Sequence, residues 1–360
     1  MKPIALLPAL LARVAALQST GNQYYPAGLF PSWRCKTALG YRRPDSNGFF
    51  TSSIAFTLRE IRGQLVAETQ ALADAIVASA VATYPLFENP AGLPLYNFYQ
   101  TQPRQHFPHG YVLRRTYKFA PPDDVDCTAL VYLSDPRPLT QNQWLHARLQ
   151  AHANTVQGWA DTGPPAFRAR PIYSAWFGRH MPIDLDASTL SNALLWVTRT
   201  GLPLNEFDHG SLDFIAWVIT SGEYQRAPLS VSAYYATAPL IAYHAGRLAA
   251  EVPALAAVRA ALLRDLPPLL AEAGRYSFME RVLLASTLLR LGGAPPPLLD
   301  PTWPLAELEA RSRGFYFFIA PLLNYHAPTR WLASWRLSQL DWECPAHALV
   351  LLAEYVSLAG

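Results

Sequence analysis

Three aspartates within four residues form the most chemically suggestive string of the chain: Asp123, Asp124 and Asp126. A helix start explains part of this pattern, because acidic side chains there accept hydrogen bonds from free backbone N–H groups and complement the helix dipole. One cap needs only one carboxylate, however, and further negative charges at the same place repel each other. The excess predicts a task beyond capping, which the three aspartates alone do not specify.

The residues that follow extend this string to Asp124-Val125-Asp126-Cys127-Thr128-Ala129. This sequence resembles the acid motif of class II terpene cyclases, which reads D-x-D-D-T-A in squalene–hopene cyclases and D-C-T-A-E in oxidosqualene cyclases. The resemblance implies an α/α toroid of the prenyltransferase type and a hydrophobic isoprenoid, a polyene, as the substrate. It also implies that Asp126 is the general acid, that Asp124 helps to keep it protonated, and that Cys127 is a hydrogen-bonding neighbour.

A carbon–carbon double bond is protonated only by a strong acid that still holds its proton at rest. A second carboxylate and apolar surroundings raise the pKa of such an acid, whereas a helix start lowers it. The carbocation that forms next requires a dry cavity with aromatic faces. The chain has many aromatic residues for this purpose, and Tyr234 and Trp342 are candidates to line the cavity.

Further carboxylates stand at the starts of other predicted helices. Independent caps are the simplest interpretation. If the helices run in one direction around a ring, however, their starts meet at one mouth, where carboxylates could cleave a glycan, hold Mg²⁺ or Ca²⁺, or orient a polar substrate. The predicted substrate-binding residues are these polar residues and their aromatic neighbours: Asp123, Asp186, Asn192, Tyr234, Glu280, Trp342 and Glu343.

Two loop strings carry polar and ring side chains. His106 and His109 flank Pro108, which makes this segment a turn, and no cysteine or carboxylate stands nearby at zinc-ligand spacing. We therefore predict neither a metal site nor a cofactor. The string Tyr96-Asn97-Phe98-Tyr99-Gln100 places aromatic rings beside amides, a composition that suits a ligand at a cavity mouth and equally the packing of a long loop.

Helical periodicity dominates the chain, and one class of helix recurs six times. Each copy begins with polar or acidic residues, continues with small residues and then becomes strongly apolar. The copies are Thr51–Leu58, Asp123–Leu133, Asp186–Val197, Tyr234–His244, Glu280–Leu291 and Glu343–Tyr355. Small residues inside an apolar helix favour close neighbours on every side.

Between these copies lie amphipathic helices with one polar side. They are Met1–Leu17, Gln64–Ala82, Thr140–Gly158, Leu212–Ile219, Ala254–Ala271 and Pro304–Arg311. Six apolar helices, each backed by an amphipathic one, predict an all-α fold: an α/α toroid of about six helix hairpins in two concentric rings. An open solenoid of hairpins is the alternative. Residues 1–360 contain no linker that would divide this domain.

Composition limits the partners. The net charge of the 360 residues is only +3 and no long basic run occurs, so nucleic acid is not expected to be the partner. Three cysteines cannot form a disulfide framework and indicate a reducing compartment. We interpret the N-terminal segment as an amphipathic helix, with a cleaved signal peptide as the minority interpretation, and predict a cytoplasmic protein. Peripheral membrane contact and oligomeric state stay open.

Three functional hypotheses follow from these patterns. The first is a terpene cyclase-like protein that starts the cyclisation of an isoprenoid with the proton of Asp126. The second is a carbohydrate-active toroid that uses paired carboxylates, such as Asp126 with Asp186 or Glu343. The third is a non-catalytic binding protein of the same fold.

Overall fold

The computed structural model describes residues 6–112, 114, 122–160, 163–178, 181–300, 302–324 and 327–360. In this part of the chain lie fourteen α-helices: α1 (Leu7–Leu17), α2 (Phe49–Ile61), α3 (Ala67–Val81), α4 (Val125–Ser134), α5 (Leu139–Ala151), α6 (Ala187–Thr200), α7 (Glu206–Thr220), α8 (Glu223–Arg226), α9 (Pro228–Val231), α10 (Ala238–Ala249), α11 (Ala256–Ala271), α12 (Phe278–Arg290), α13 (Leu305–Ser312) and α14 (Pro345–Ala359). Four short strands accompany them: β1 (Trp33–Lys36), β2 (Tyr41–Pro44), β3 (Phe318–Pro321) and β4 (Gln339–Glu343).

Six of the helices form a closed inner ring. Helix α2 packs against α4, α4 against α6, α6 against α10, α10 against α12, α12 against α14, and α14 returns to α2. These helices are buried over most of their length, as their small and apolar residues predict. The contact between α14 and α2 excludes the open solenoid and establishes the α/α toroid.

The amphipathic helices form the outer layer. Helix α1 packs on α14 and α3, α3 on α2, α5 and α7 on α6, α11 on α10 and α12, and α13 on α12 and α14. The stretch Ala67–Phe87 is long and apolar enough to cross a membrane by length and composition alone. In this fold, one face of that stretch covers α2.

Side-chain caps fix where the inner helices begin. Asp124, Asp186, Thr237 and Ser277 each accept a hydrogen bond from a backbone N–H in the first turn of α4, α6, α10 and α12, respectively. This corrects one predicted boundary, because Tyr234 precedes α10 instead of opening it. Because inner and outer helices alternate along the chain, the capped ends meet at one end of the ring, which we call the mouth.

The opposite end of the ring is closed by charge pairing. The guanidinium of Arg199, near the end of α6, lies 2.7 Å from the carboxylate of Glu60 on α2 and 2.5 Å from that of Glu251, which follows α10. Helices α2 and α6 are not neighbours in the ring, so Arg199 joins elements across it.

A small antiparallel sheet covers part of the mouth, with the strand order β2-β1-β4-β3. Cys35 is paired with Asp341, and Phe318 with Trp342. The sheet corrects the position of Glu343, which ends strand β4 instead of starting a helix. The fold nevertheless remains mostly helical, and the sheet brings Phe317 and Phe318 to the mouth.

Candidate active site at the mouth of the ring

Asp124 and Cys127 are held together at the start of α4. One carboxyl oxygen of Asp124 accepts a hydrogen bond from the backbone N–H of Cys127 at 2.6 Å. The other oxygen is buried and has no hydrogen-bond partner in the described part of the chain. Burial, opposed by the hydrogen bond from Cys127 and reinforced by the charge of Asp126, raises the pKa of Asp124 to about 8. Asp124 is therefore a helix cap that keeps its proton at neutral pH.

Asp126 faces the interior of the ring and belongs to a buried polar network. Its carboxyl oxygens accept hydrogen bonds from the Asn192 amide at 2.6 Å and from the Tyr235 hydroxyl. The carbonyl oxygen of Asn192 in turn binds Arg247 at 2.6 Å and lies 3.2 Å from Nδ1 of His244. Burial raises the pKa of Asp126, whereas the hydrogen bonds from Asn192 and Tyr235 and the charge of Arg247 lower it.

The space beside this network is filled by aromatic rings. The ring centroid of Phe317 lies 4.4 Å from that of His347, 5.6 Å from His244 and 5.7 Å from Tyr235. Phe317 is itself 2% exposed. The expected empty, aromatic-lined cavity for a polyene next to Asp126 is thus occupied by the protein's own side chains.

Asp186 caps α6 and ties it to the chain before α10. One of its carboxyl oxygens accepts hydrogen bonds from the N–H groups of Ser188 and Thr189, and from the hydroxyl of Ser232 at 2.9 Å. The other accepts one from the N–H of Tyr234 at 3.1 Å. Burial is the main cause that raises the pKa of Asp186 to about 7, and the nearby charges of Asp184 and Asp126 add to it. With this many donors, the carboxyl of Asp186 is a structural junction.

Asp184, two residues earlier, is held differently. Its carboxyl accepts a hydrogen bond from the Tyr234 hydroxyl at 2.9 Å, and the same hydroxyl oxygen accepts one from Nε1 of Trp176 at 2.8 Å. The ring of Tyr234 stacks on Phe318 with centroids 5.7 Å apart. This Trp176–Tyr234–Asp184 chain fixes the carboxyl of a residue that lines an open cleft.

That cleft, which we call the mouth cleft, has a volume of about 720 Å³. Its walls come from four separate parts of the chain: residues 163–168, residues 184–185, residues 226–237, and residues 319–324 together with 334–339. Among the described residues, the charged groups that line it are Asp184 and three arginines, Arg168, Arg226 and Arg336. Neither Asp126 nor Cys127 lines this cleft.

An exposed pair of tryptophans stands on the segment that supplies one wall of the mouth cleft. Trp331 is 67% exposed and Trp335 53% exposed, and their rings meet edge to face with centroids 5.5 Å apart. Ser334 and Arg336 of the same segment line the cleft. Large exposed aromatic side chains in one place are a feature of ligand-binding surfaces.

The remaining predicted residues are distributed over several places. Glu280 closes a capping box with Ser277 at the start of α12. Glu343 pairs with Arg42 across the sheet at 2.7 Å, and Trp342 packs against Phe318. Asp126 lies near enough to Asp124 and Asp186 for its charge to affect their pKa values, whereas Glu280 and Glu343 make contacts of their own elsewhere. The expectation that the carboxylates at the helix starts meet at one mouth is therefore wrong for Glu280 and Glu343.

The sequence pattern pointed to Asp186 more than to Asp184, because Asp186 stands where a helix cap is expected. Asp184 lies two residues earlier, in a segment whose sequence resembles a loop. The three arginines of the mouth cleft had no shared pattern that could have revealed them. They lie far apart along the chain and become neighbours only when the ring closes.

Comparison with known proteins gives no family. No protein-family model matches the sequence. No curated protein matches it significantly. Among solved structures, an unsaturated glucuronyl hydrolase specific for heparin is similar over 99% of this chain and 96% of that chain, with 12% identity and a TM-score of 0.45. The fold assignment rests on the closed ring of helix contacts in this chain.

Proposed function

We propose that this protein is a carbohydrate-active α/α toroid that cleaves an acidic saccharide in the mouth cleft, with Asp184 as the group that transfers the proton. The observation that carries the proposal is an open cleft whose described lining includes one acidic residue, Asp184, and three arginines. The terpene cyclase hypothesis is not retained, because Asp126 contacts Asn192 and Tyr235 and has filled space beside it.

The size and shape of the cleft suit a saccharide. Its volume of about 720 Å³ lies within the roughly 300–1,000 Å³ that is usual for small-molecule sites. Trp331 and Trp335, on the segment that supplies Ser334 and Arg336 to the cleft, offer flat apolar faces on which a sugar ring can pack while its hydroxyl groups stay hydrated. A polyene, in contrast, would be left largely in water in so open a site.

The charge of the cleft favours an anionic ligand. Arg226 is oriented by Glu223 at 2.7 Å and Arg336 by Asp341 at 3.2 Å, yet their side chains are 63% and 58% exposed. A guanidinium has five N–H donors in a planar fork, so each arginine keeps donors for a ligand carboxylate or sulfate. Uronic-acid and sulfated saccharides are the carbohydrates with such groups.

The environment of Asp184 suits proton transfer. The residue is 2% exposed and its carboxyl is fixed by a hydrogen bond from Tyr234. The carboxyl therefore has a defined position and little contact with bulk water. A carboxyl held at a cleft wall can donate a proton to a leaving-group oxygen or accept one from the sugar ring. Asp186 is less suited, since its oxygens are already bound by backbone and serine donors.

The test is the release of new reducing ends from a panel of oligosaccharides, which detects cleavage by hydrolysis or by elimination alike. We expect activity on uronic-acid or sulfated oligosaccharides and little on neutral oligosaccharides of equal length. Asp184→Asn should lower kcat by about 10²–10⁴, the usual contribution of a general acid or base. Asp213→Asn is the matched control, because the Asp213 side chain is 68% exposed on α7.

Two results would overturn the proposal. One is the absence of cleavage across the acidic panel. The other is an Asp184→Asn variant that keeps wild-type kcat on a substrate which the wild type cleaves.

A further inference from the structure

A second cavity lies apart from the mouth cleft and shares none of its lining residues. It has a volume of about 260 Å³ and is built by residues 89–106, the residues before α4, one residue of α5 and the turn at 177–178. We call it the Arg148 pocket. Its polar lining includes Asn97, Gln100, Arg104, His106, Asp123 and Arg148.

Three polar side chains of this pocket make no hydrogen bond to any residue in the described part of the chain. Gln100 is 5% exposed and His106 is 7% exposed, and neither side chain makes a hydrogen bond within the part of the chain that the structure describes. Arg148 likewise forms no ion pair or hydrogen bond with the described residues, and its Nε is fully buried. Buried donors and acceptors normally have partners, because leaving them unpaired has a free-energy penalty. The buried, unpaired Nε of Arg148 and the unpaired side chains of Gln100 and His106 border the same cavity, which indicates a site that is completed by a ligand.

The charge of the pocket selects the ligand. Burial raises the pKa of Asp123, and the hydrogen bond from Asn89 and the nearby charges of Arg104 and Arg148 oppose this effect. Asn89 donates a hydrogen bond to this carboxylate and fixes it. Two guanidinium groups and one carboxyl give the pocket a net positive charge, which favours an anion. A second negative charge on the ligand would lie next to the carboxyl of Asp123.

The uncharged groups add a second requirement. Burial is the main cause that lowers the pKa of His106, so its ring is neutral near pH 7 and can both donate and accept a hydrogen bond. The amide of Gln100 can do the same. These groups suit ligand hydroxyls. At about 30 Å³ per water, the cavity has room for a ligand of roughly ten non-hydrogen atoms.

We propose that the Arg148 pocket binds a small hydroxylated monocarboxylate, whose carboxylate is held by Arg148 and whose hydroxyls are held by Gln100 and His106. The guanidinium of Arg148 can bind a carboxylate through two parallel N–H donors. This site is independent of cleavage in the mouth cleft, and its ligand need not be a saccharide.

The test is isothermal titration calorimetry of the full chain with glycerate. We expect saturable binding of glycerate, weaker binding of acetate, which lacks the hydroxyls, and no binding of glycerol, which lacks the carboxylate. Arg148→Gln should weaken glycerate binding at least tenfold, and Arg148→Lys should weaken it less, because the charge remains while the planar fork is lost. Arg264→Gln, at a 69% exposed arginine that lines neither the Arg148 pocket nor the mouth cleft, should leave it unchanged.

The proposal is overturned if glycerate gives no heat of binding to a wild-type protein that is folded by circular dichroism. It is also overturned if inorganic phosphate binds more tightly than glycerate, or if Arg148→Gln, shown to be folded, binds glycerate as the wild type does. Cleavage of acidic saccharides by Arg148→Gln at the wild-type rate separates this site from the proposed function.

Discussion

Asp126 is an acidic residue that stabilises the protein interior instead of acting as a catalytic acid. One of its carboxyl oxygens accepts a hydrogen bond from Asn192 and the other accepts one from Tyr235. The side-chain carbonyl of Asn192 accepts a further hydrogen bond from Arg247. A buried carboxyl without such partners would be strongly unfavourable, whereas a fully hydrogen-bonded one fixes the neighbouring helices in register. The network joins α4, α6 and α10 at one level of the ring.

Asp124 makes stability depend on pH. Its pKa is about 8 in the folded protein, against an ordinary value of 3.8. Between about pH 4 and pH 8 the unfolded chain has therefore released a proton that the folded chain keeps, so this residue lowers the free energy of unfolding as the pH rises. Asp124→Asn retains a good helix cap and cannot ionise.

We expect the free energy of unfolding of Asp124→Asn to improve relative to wild type by up to about 1.4 kcal/mol per pH unit across this window. Urea unfolding followed by circular dichroism at pH 5, 6, 7 and 8 measures it. Asp213→Asn serves as the control for removing a charge. If wild type and Asp124→Asn give parallel profiles, Asp124 is ionised in the folded protein and the expectation is wrong.

At the scale of elements, the strand β3 and the residue before it fill the middle of the ring. Phe317 lies among His347, His244 and Tyr235, and Phe318 stacks on Tyr234. The segment is held there by β4, with Phe318 opposite Trp342. A short strand therefore fills the space inside the ring of helices, so that a ligand has to bind outside this packed region.

Removing the phenyl group of Phe317 should leave a cavity, because the surrounding helices are held in place and cannot move in to fill it. We expect Phe317→Ala to lower the free energy of unfolding by about 3–5 kcal/mol. Leu337→Ala is the control, since Leu337 is 56% exposed and should change it by less than about 0.5 kcal/mol. Urea unfolding gives both values. A loss below about 1 kcal/mol for Phe317→Ala would mean that the centre is not packed as described.

The helices could be predicted from the sequence because their determinants are local. Caps such as Asp186 and the small and apolar residues behind them lie within one or two helical turns. The sheet could not, because its strands are four or five residues long and pair segments at opposite ends of the chain, such as Cys35 with Asp341. The same holds for the candidate site. The aspartates at helix starts can be predicted from the sequence, whereas Arg168, Arg226 and Arg336 come together only when the ring of helices closes.

For the whole molecule, closure gives every hairpin two neighbours. Helix α14 packs on α2 within the inner ring, and it also packs on α1, the first helix of the described chain. Within the described chain, no hairpin is therefore a terminal repeat. An open solenoid would instead depend on its end caps.

A circular permutant tests this property. A flexible linker joins Gly360 to Met1, and new ends are placed after Gly274, in an exposed loop between α11 and α12. We expect this permutant to unfold in one cooperative transition and to lose no more than about 2 kcal/mol of stability, because the loop-closure free energy changes only slowly with loop length while the helix contacts are all kept.

A second permutant, opened between Ala285 and Ser286, is the control. Both residues are buried within α12, so that opening the chain there should abolish folding, since it removes a link of the inner ring. Urea unfolding followed by near-ultraviolet and far-ultraviolet circular dichroism distinguishes the two. If the Gly274 permutant also fails to fold, or unfolds in separate steps, the ring is not a single cooperative unit, and its stability depends on where the chain begins.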